Sequence, residues 1–438
     1  MGAKIIYNLK GIGRMLLPRA IPQALLESKL KSIFTLDART LDSIAARVAH
    51  YHKLNTHFSP KPFALPSTKP VRDTIVPPHF GYLRDNKLSK DHSSVYFYDS
   101  YQWTRCFPDH FVWNYEFSDV NYYLASPAIT KTRPIDGRVK ILIGGGAVKN
   151  SSLESTFEQN EQKSNNDGSS NQPPESSFEN ATNLHEPAKD SRICDEKSGL
   201  SSDWQGSYLS GSDRRQSRRI TDLSRKAEST SDNPTPENSI LLQLDKNRHF
   251  SFIHDPIPYE KKRDLLFFRG ACPQEHRSRF LRQYFSHPLC DLGHTGGADE
   301  HPTYTKPKIP KKEHLHYKFL LSLEGNDVAS NLKWILGSNS LCIMPKPRYE
   351  SWFMEEKLEA NVHYALLDDD YGNLDSLLEF FTAHPKDAQE IIHNANAYCQ
   401  AFQNPRIEEA CNLLVLRKYF YLSDQGDLSP NERALLRL

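Results

Sequence analysis

The stretch YKFLLSLEGNDVASNLKWILGSNSLCIMPKP, residues 317–347, decides the fold. An apolar run ends in the polar turn EGND (324–327), a helical pattern follows, and a second apolar run ends at Pro345. Short apolar runs that alternate with helical patterns are typical of strands joined by crossover helices in a parallel sheet. The segment therefore predicts a strand, a helix and a second strand of an α/β domain.

The same alternation continues on both sides of this segment. DLLFFRG (264–270) and SRFLRQYF (278–285) precede it, and NLDSLLEFFTAH (373–384) and DAQEIIHNANAYCQAF (387–402) follow it. Repetition of this pattern predicts that residues 259–438 form one α/β domain together with its closing helices.

The turns that follow the predicted strands are where a ligand is expected. In parallel sheets ligands bind at the carboxyl ends of the strands, where turns open onto helix N-termini. Here those turns lie at 269–273, 324–331 and 345–350. Arg269 can offer a planar fork of donors to a diphosphate, and Lys333 can add a positive charge. A surface arginine and a simple capped helix explain the same residues equally well.

The remaining chain divides by composition. At 438 residues it exceeds the usual size of one hydrophobic core, so two domains are expected. Residues 1–146 show helical spacing and then a stretch dense in aromatic residues, and are predicted to form the first part of an N-terminal domain. Residues 147–237 are mostly Ser, Asn, Asp, Glu and Gln, and are predicted to be a disordered, low-complexity insertion. Residues 238–258 are predicted to return to the N-terminal domain or to join the domains.

Charge and cysteine content narrow the function classes. Lys and Arg total 55 against 54 for Asp and Glu, so no net field attracts a nucleic acid and no nucleic-acid partner is expected. The seven cysteines form no C-x-x-C pair, which predicts reduced thiols in a reducing compartment. The first residues lack the apolar core of a signal peptide or membrane span. Their mixture of apolar and basic residues suits contact with an anionic membrane, although an ordinary amphipathic helix is the commoner interpretation.

Four segments together resemble a known family. They read FFRG (267–270), YKFLLSLEG (317–325), ASNLKWILGSNSLCIM (329–344) and NVHYALL (361–367). In order and spacing they are similar to the signature of glycosyltransferase family 90, the CAP10 and lipopolysaccharide core glycosyltransferase group. The resemblance covers about residues 265–402, close to a third of the chain, and is strongest to the bacterial lipopolysaccharide branch.

The resemblance implies a GT-B-like architecture, in which two Rossmann-like domains face a cleft. Residues 1–146 would begin the acceptor-side domain and 259–438 would bind the nucleotide sugar, with no obligatory metal and no cofactor besides the sugar donor. Matching positions assign donor and diphosphate binding to Arg269, Gly270, Gly325, Ser330, Asn331 and Lys333. Asn331 stands where eukaryotic members have a second arginine, so Arg248 or Arg348 is expected to supply the missing charge.

The catalytic base is assigned by a weaker match. Asp119, in NYEFSDVNYY, is the candidate, and the segment ITKTRPI with Lys131 and Arg133 resembles a family motif that follows the base. Glu350 and Glu355 are secondary candidates for binding ribose or sugar hydroxyls, and a solvated helix face explains them as well. The run DDD (368–370) is interpreted as the cap of the following helix rather than as a metal site.

The resemblance thus implies an inverting transferase that moves glucose or galactose from a UDP-sugar. The expected acceptor is a lipid-linked oligosaccharide of the lipopolysaccharide core, and the expected location is the cytoplasm, with peripheral contact at the inner face of the inner membrane. A capsule or other glycan acceptor is an alternative. A protein that binds the nucleotide sugar without catalysis is a second alternative, since Asn331 replaces an arginine.

Overall fold

A computed structural model describes residues 2–62, 75–86, 94–135, 236–297 and 302–438. Met1–Ile143 and Ser231–Leu438 together form one compact unit. The second unit, Gly144–Thr230, lies outside the described residues, as does nearly all of the insertion predicted at 147–237.

The described residues contain helices and strands in both halves of the chain. The α-helices are α1 Gly2–Leu16, α2 Ala20–Ile33, α3 Ala38–Tyr51, α4 Ser94–Thr104, α5 Lys246–His249, α6 Glu275–Tyr284, α7 Lys311–His314, α8 Leu332–Leu336, α9 Leu374–Ala383, α10 Pro385–Gln400, α11 Pro405–Leu422 and α12 Pro430–Leu436. The strands are β1 Ile75–Val76, β2 His79–Tyr82, β3 Val112–Glu116, β4 Tyr123–Leu124, β5 Ala128–Thr130, β6 Thr132–Pro134, β7 Ser239–Leu241, β8 Arg263–Gly270, β9 Cys290–His294, β10 Tyr317–Leu321, β11 Leu341–Met344, β12 Tyr349–Ser351 and β13 Ala365–Leu366. Short 3₁₀ helices occur at Leu83–Asp85, Pro236–Asn238, Tyr259–Lys261, Pro302–Tyr304 and Glu355–Lys357.

The main sheet is a parallel sheet of five strands in the order β13-β11-β10-β8-β9. In chain order this is the doubly wound arrangement 2-1-3-4-5, and the direction of winding reverses between β8 and β10. The predicted α/β fold with a parallel sheet is therefore confirmed. The reversal opens a crevice at the carboxyl ends of β8 and β10, which is where such sheets bind ligands.

Both faces of this sheet are buried, because successive strand side chains point to opposite sides. On β10, Phe319 and Leu321 join a cluster that includes Phe280 of α6. Leu320, on the other face, joins the larger cluster that includes Trp334 of α8. The strands consequently read as continuous apolar runs, as expected of a parallel sheet covered on both sides.

The N-terminal half forms a four-stranded sheet in the order β2-β3-β5-β7, in which β3, β5 and β7 are parallel. A two-stranded antiparallel pair, β6 with β12, brings Arg133 opposite Glu350. Helices α3 and α11 contribute Tyr51 and Tyr419 to the same large cluster as Trp352. The pairing of β6 with β12 therefore joins the N-terminal half to the segment that follows β11.

Side-chain caps begin helices α3, α11 and α12. Asp37 accepts a hydrogen bond from the Thr40 N–H at 2.9 Å before α3. Asn404 caps α11 ahead of a proline at its first turn, and Ser429 and Glu432 form a capping box on α12. Within the described residues, no helix is both long enough and apolar enough to cross a lipid bilayer.

Candidate functional site

A cavity of about 740 Å³ opens at the carboxyl edge of the parallel sheet. Its walls come from the segments that follow β8, β10, β11 and β13, at residues 274–279, 322–332, 344–349 and 369–371. This volume lies within the usual range for small-molecule sites. The crevice predicted by the winding of the sheet is thus an open cavity.

One wall is the start of α6. Gln274 stands at the N-cap of this helix and makes no side-chain capping bond. The Gln274 amide donates to Asn326 Oδ1 at 3.0 Å, and its own Oε1 has no hydrogen-bond partner in the part of the chain that the structure describes. His276 contacts the Glu324 carbonyl at 2.7 Å. A helix N-terminus of this kind favours an anionic ligand.

Three cationic side chains line the cavity. Arg279 donates to the Asp369 carbonyl and lies over the Tyr371 ring, with its guanidinium carbon 4.8 Å from the ring centroid. Arg348 pairs with Glu324, with Nε 2.9 Å from Oε2. Lys346 is exposed and forms no ion pair with any described residue. Lys346 is therefore the cation most available to an incoming anion.

Glu324 ties the turn after β10 to the turn after β11. Its Oε1 accepts from the backbone N–H groups of Arg348 and Tyr349, at 2.9 and 3.1 Å. Burial raises the pKa of Glu324, and the opposing effect of Arg348 does not cancel this rise. The carboxylate therefore fixes the positions of two cavity walls.

Asp119 lies at the edge of the cavity. Lys131 Nζ reaches Asp119 Oδ1 at 2.5 Å and Asp327 Oδ2 at 2.7 Å, so one buried cation joins two carboxylates. Asn326, a cavity residue, donates to Asp119 Oδ2 at 3.4 Å. Asn121, on the same loop as Asp119, also lines the cavity and donates to the Asn326 carbonyl at 2.7 Å.

Two opposing effects set the pKa of Asp119. Burial disfavours its ionised form, but Lys131, Arg248 and Asn326 outweigh burial and lower the pKa of this carboxyl. Asp327, also paired with Lys131, is more deeply buried, and burial raises its pKa. Asp119 is thus the carboxyl of the two whose pKa is lowered, and one third of its side chain is exposed, 34%.

Arg269 is directed toward β9 rather than into the cavity. Its Nη2 pairs with Asp291 Oδ1 at 2.7 Å, and its Nη1 donates to the carbonyls of Phe268 and Asp291. The side chain is 9% exposed, and its Nε has no hydrogen-bond partner among the described residues. Binding of a diphosphate by Arg269 stays a prediction, and it would require this side chain to leave Asp291.

Gly270 also differs from its expected use. A Cβ atom at this position would lie 2.7 Å from the Phe268 ring, so glycine is required here by packing within the protein. Gly325 does line the cavity, where the nearest atom to an added Cβ would be in the Arg277 guanidinium, at 3.5 Å. Of the two glycines, only Gly325 is therefore placed to admit a ligand.

The residues around the start of α8 are directed mostly into the protein. Asn331 accepts from the Ser322 hydroxyl at 3.1 Å and donates to the Leu321 carbonyl at 3.0 Å. Lys333 is fully buried and pairs with Glu355, with Nζ 2.5 Å from Oε1. Ser330 is exposed but lies outside the cavity wall. Ser322 and Glu355 contribute to the cavity wall, whereas Ser330, Asn331 and Lys333 do not.

The two arginines expected to replace the missing charge lie in different places. Arg348 lines the cavity, whereas Arg248 pairs with Asp245 at 2.6 Å and reaches Asp119 Oδ1 at 3.8 Å. Asp245 holds a left-handed backbone conformation, with φ of 54°, at the start of α5. Arg348 is therefore positioned to contact a ligand in the cavity, whereas Arg248 is positioned to interact with Asp119.

Glu350 and Arg133 form a buried ion pair between β12 and β6. Arg133 Nε lies 2.7 Å from Glu350 Oε1, and His50 Nε2 lies 2.6 Å from Glu350 Oε2. Glu356 adds a carboxylate oxygen close to His50 and Glu350, so three side chains of the kinds that bind metal ions lie together. Because Arg133 already holds the Glu350 carboxylate, and Lys53 lies 3.7 Å from Glu356, these cations satisfy the acids of the cluster.

Several cavity residues were not identified from the sequence. They are Gln274, His276, Arg279, Lys346, Asp369 and Asp370. The predicted turns at 324–331 and 345–350 do lie at the cavity, so their position after strands was a usable signal. The DDD run does not cap α9, whose N-cap is Asn373 and makes no side-chain capping bond. The run follows β13, and the same rule would have placed it at the cavity.

Comparison with known proteins identifies the part of the chain that carries this cavity. Residues 248–412 match the family model described as Glycosyl transferase family 90. A protein of Dichelobacter nodosus named O-glucosyltransferase LpsA is 47% identical over 186 residues. The aligned residues are 42% of this chain and 58% of that relative, so the match covers little more than half of the relative's length. All the cavity walls after β8 lie within the matched range.

Proposed function

Because residues 248–412 match the model of glycosyltransferase family 90, we infer that this chain is a glycosyltransferase whose cavity binds a nucleotide-activated sugar. One observation carries this inference. The cavity lies at the point where the sheet reverses its winding, and Lys346 and the uncapped start of α6 line it. A diphosphate is the ligand group that such an arrangement favours.

The proposed donor is a UDP-sugar, with glucose or galactose as the hexose. The glucosyltransferase name of the Dichelobacter nodosus relative supports a hexose. The unpartnered Gln274 Oε1 and the acidic side chains of Asp369 and Asp370 offer acceptors for sugar or ribose hydroxyls. Lys346, Arg279 and the α6 N–H groups would stabilise the pyrophosphate, and this proposal assigns no obligatory role to a metal ion.

We propose that the two sheets have separate roles, as in a GT-B-like architecture. The five-stranded sheet would hold the donor, and the four-stranded sheet would present the acceptor side. Asp119 follows β3 of the second sheet and meets Asn326 of the turn after β10. This contact between the two halves, at the edge of the cavity, supports the assignment.

In the proposed reaction the acceptor hydroxyl oxygen attacks the anomeric carbon of the donor sugar. The bond between that carbon and the phosphate oxygen breaks, and UDP departs from the opposite face, which inverts the configuration. Asp119 takes the hydroxyl proton as the attack proceeds. Lys131 keeps Asp119 ionised before that step, because it lowers the pKa of the carboxyl.

The proposed acceptor is a lipid-linked oligosaccharide of the lipopolysaccharide core, as in the bacterial branch that the sequence resembles. Another glycan of capsule type is the alternative acceptor. A binding protein without catalysis remains the alternative of a different class, and the neutral Asn331 in place of a family arginine is the observation that favours it.

Calorimetry with UDP and a turnover assay with UDP-glucose and UDP-galactose test this proposal together. An active transferase should bind UDP and release it from at least one of the two donors. Binding without turnover would favour the non-catalytic alternative. An absence of affinity for every uridine nucleotide would overturn the proposed function.

Replacing Lys346 with Ala should weaken UDP binding about tenfold, because a charge-assisted contact to the pyrophosphate is lost. Lys308, which is exposed but lies away from the cavity, provides the matched control as Lys308→Ala. Calorimetry on both variants measures the difference. Equal affinities for the two variants would remove Lys346 from the donor site.

Replacing Lys131 with Met should move the acid limb of the pH profile of kcat/KM to higher pH. Lys131 lowers the pKa of Asp119, so its removal raises that pKa, and the base becomes protonated at a higher pH. Lys29→Met, which breaks a surface pair with Glu409, is the control. An unchanged acid limb in the Lys131 variant would mean that Asp119 is not the titrating base.

A further inference from the structure

Helix α1 carries an apolar face on its outer side. Ile5, Leu9, Ile12 and Leu16 follow the i, i+4, i+7, i+11 spacing of one helix face, and they are 52, 61, 44 and 79% exposed. Burial in the described protein therefore does not account for this spacing.

The opposite side of α1 is fixed to the protein. The Tyr7 hydroxyl donates to the Val95 carbonyl at 3.1 Å, and the Tyr7 ring packs edge-on against Tyr98 of α4. Gly11 is buried against the same Tyr98, whose ring leaves no room for a Cβ atom. The orientation of α1 is thus set by its inner face, and the apolar residues of its outer face point away from α4.

The apolar face continues beyond α1. Thirteen large hydrophobic side chains are exposed in the described residues, and nine of them lie between residues 5 and 25. Those that extend the face past α1 are Leu17, Ile21 and Leu25. A concentration of this kind marks an interaction surface, since scattered single residues are the ordinary case.

Charge indicates which partner this surface fits. Residues 1–26 contain no Asp or Glu, and they contain Lys4, Lys10, Arg14 and Arg19, whereas the whole chain has a net charge of only +1. Lys10 is exposed beside the apolar face. A second copy of the chain would bring the same basic segment against itself, which is unfavourable in a symmetric contact. Anionic lipid headgroups instead complement this charge.

We propose that α1 and the start of α2 (residues 5–25) bind the surface of an anionic lipid bilayer. The helix lies in the plane of the interface, and Ile5, Leu9, Ile12 and Leu16 enter the boundary between headgroups and acyl chains. Lys10 remains at the level of the headgroup phosphates. This inference does not rest on the proposed glycosyl transfer.

The surface also has a physical connection to the candidate site. Helix α4, on which α1 packs, holds Asp99, which accepts from the Lys246 N–H at 2.9 Å at the start of α5. Helix α5 in turn carries Arg248, which reaches Asp119. A bilayer surface bound by α1 would therefore be linked through helices α4 and α5 to Asp119 on the proposed acceptor side.

Sedimentation of the full chain with lipid vesicles tests the proposal. The full chain should bind vesicles that contain phosphatidylglycerol more tightly than vesicles of phosphatidylcholine alone. The double variant Leu9→Glu, Leu16→Glu should bind the anionic vesicles about tenfold or more weakly, because two apolar side chains leave the interface and two negative charges approach it. The control Leu289→Glu, Phe380→Glu adds the same charge at exposed apolar positions elsewhere and should bind like the wild type.

Three results would overturn the proposal. They are equal binding by the α1 variant and the wild type, no preference for anionic vesicles, and a dimer in the absence of lipid that the α1 variant converts to a monomer without loss of vesicle binding. UDP calorimetry on the same variants separates this inference from the proposed function. The α1 variant should retain the UDP affinity of the wild type, so a failure of lipid binding and a failure of nucleotide binding are read independently.

Discussion

Asp119→Asn should lower the rate of sugar transfer about a thousandfold, within the range that a general base contributes. The amide keeps the shape of the side chain and cannot take the proton of the acceptor hydroxyl. UDP affinity should change little, because Asp119 contacts Lys131, Arg248 and Asn326 rather than the cations of the cavity wall. Steady-state kinetics and UDP calorimetry on the variant measure the two quantities separately.

The folded structure should survive this substitution. Lys131 keeps Asp327 as a partner at 2.7 Å, so the buried cation is not left alone. Asp109→Asn, which removes a carboxylate paired with Arg19 at the protein surface, is the matched control and should retain activity. Transfer at the wild-type rate by Asp119→Asn would exclude this residue as the base and leave the fold assignment intact.

Glu350→Gln should destabilise the protein by about 3 kcal/mol or more, since it leaves the buried Arg133 guanidinium without a counter-charge. Arg133 is completely buried and is held by Glu350 and by the carbonyls of His50, Tyr51 and Ser239. Burial disfavours ionised Glu350, but Arg133 and His50 outweigh it and lower the pKa of this carboxyl to about 2. Urea unfolding of the wild type and the variant measures the difference.

The pH dependence of this difference gives a second test. The pKa of Glu350 in the folded protein, about 2, lies below its ordinary value of 4.5, so the stabilisation is complete above the ordinary value. It should be lost progressively as the pH falls toward 2. Glu356→Gln, at a neighbour of His50 whose side chain is about one third exposed, should cost under about 1 kcal/mol near neutral pH. Equal losses of unfolding free energy in the two variants would show that Glu350 stabilises the protein no more than Glu356 does.

The parallel sheet was predictable from the sequence because its information is local. Each of the runs LLFF, FLL and LCIM is apolar throughout, and a helical pattern follows each of them. Such runs can be strands only if both faces are covered. The structure buries Phe267, Leu320 and Cys342 on one face and Phe268, Phe319 and Ile343 on the other.

The location of the site was predictable in part for the same reason. Turns after parallel strands meet at one edge of the sheet, so the turns after β10 and β11 were expected there. The direction of a single side chain was not predictable from this rule. Arg269 and Lys346 both follow parallel strands or end them, yet Arg269 pairs with Asp291 and Lys346 faces the cavity.

The sequence by itself determined the α/β class, the alternation of strands and helices around β8, β10 and β11, and the amphipathic character of the first helix, because each depends on the spacing of neighbouring residues. Strand β9 of the same sheet was not predicted. Only the tertiary structure decided which charged side chains form ion pairs inside the protein. Arg133 with Glu350 and Lys333 with Glu355 are far apart in the chain or lie on different elements, and they meet through packing. A buried ion must be paired with whatever the fold brings beside it, so the cations left for a ligand are known only after those pairs are formed.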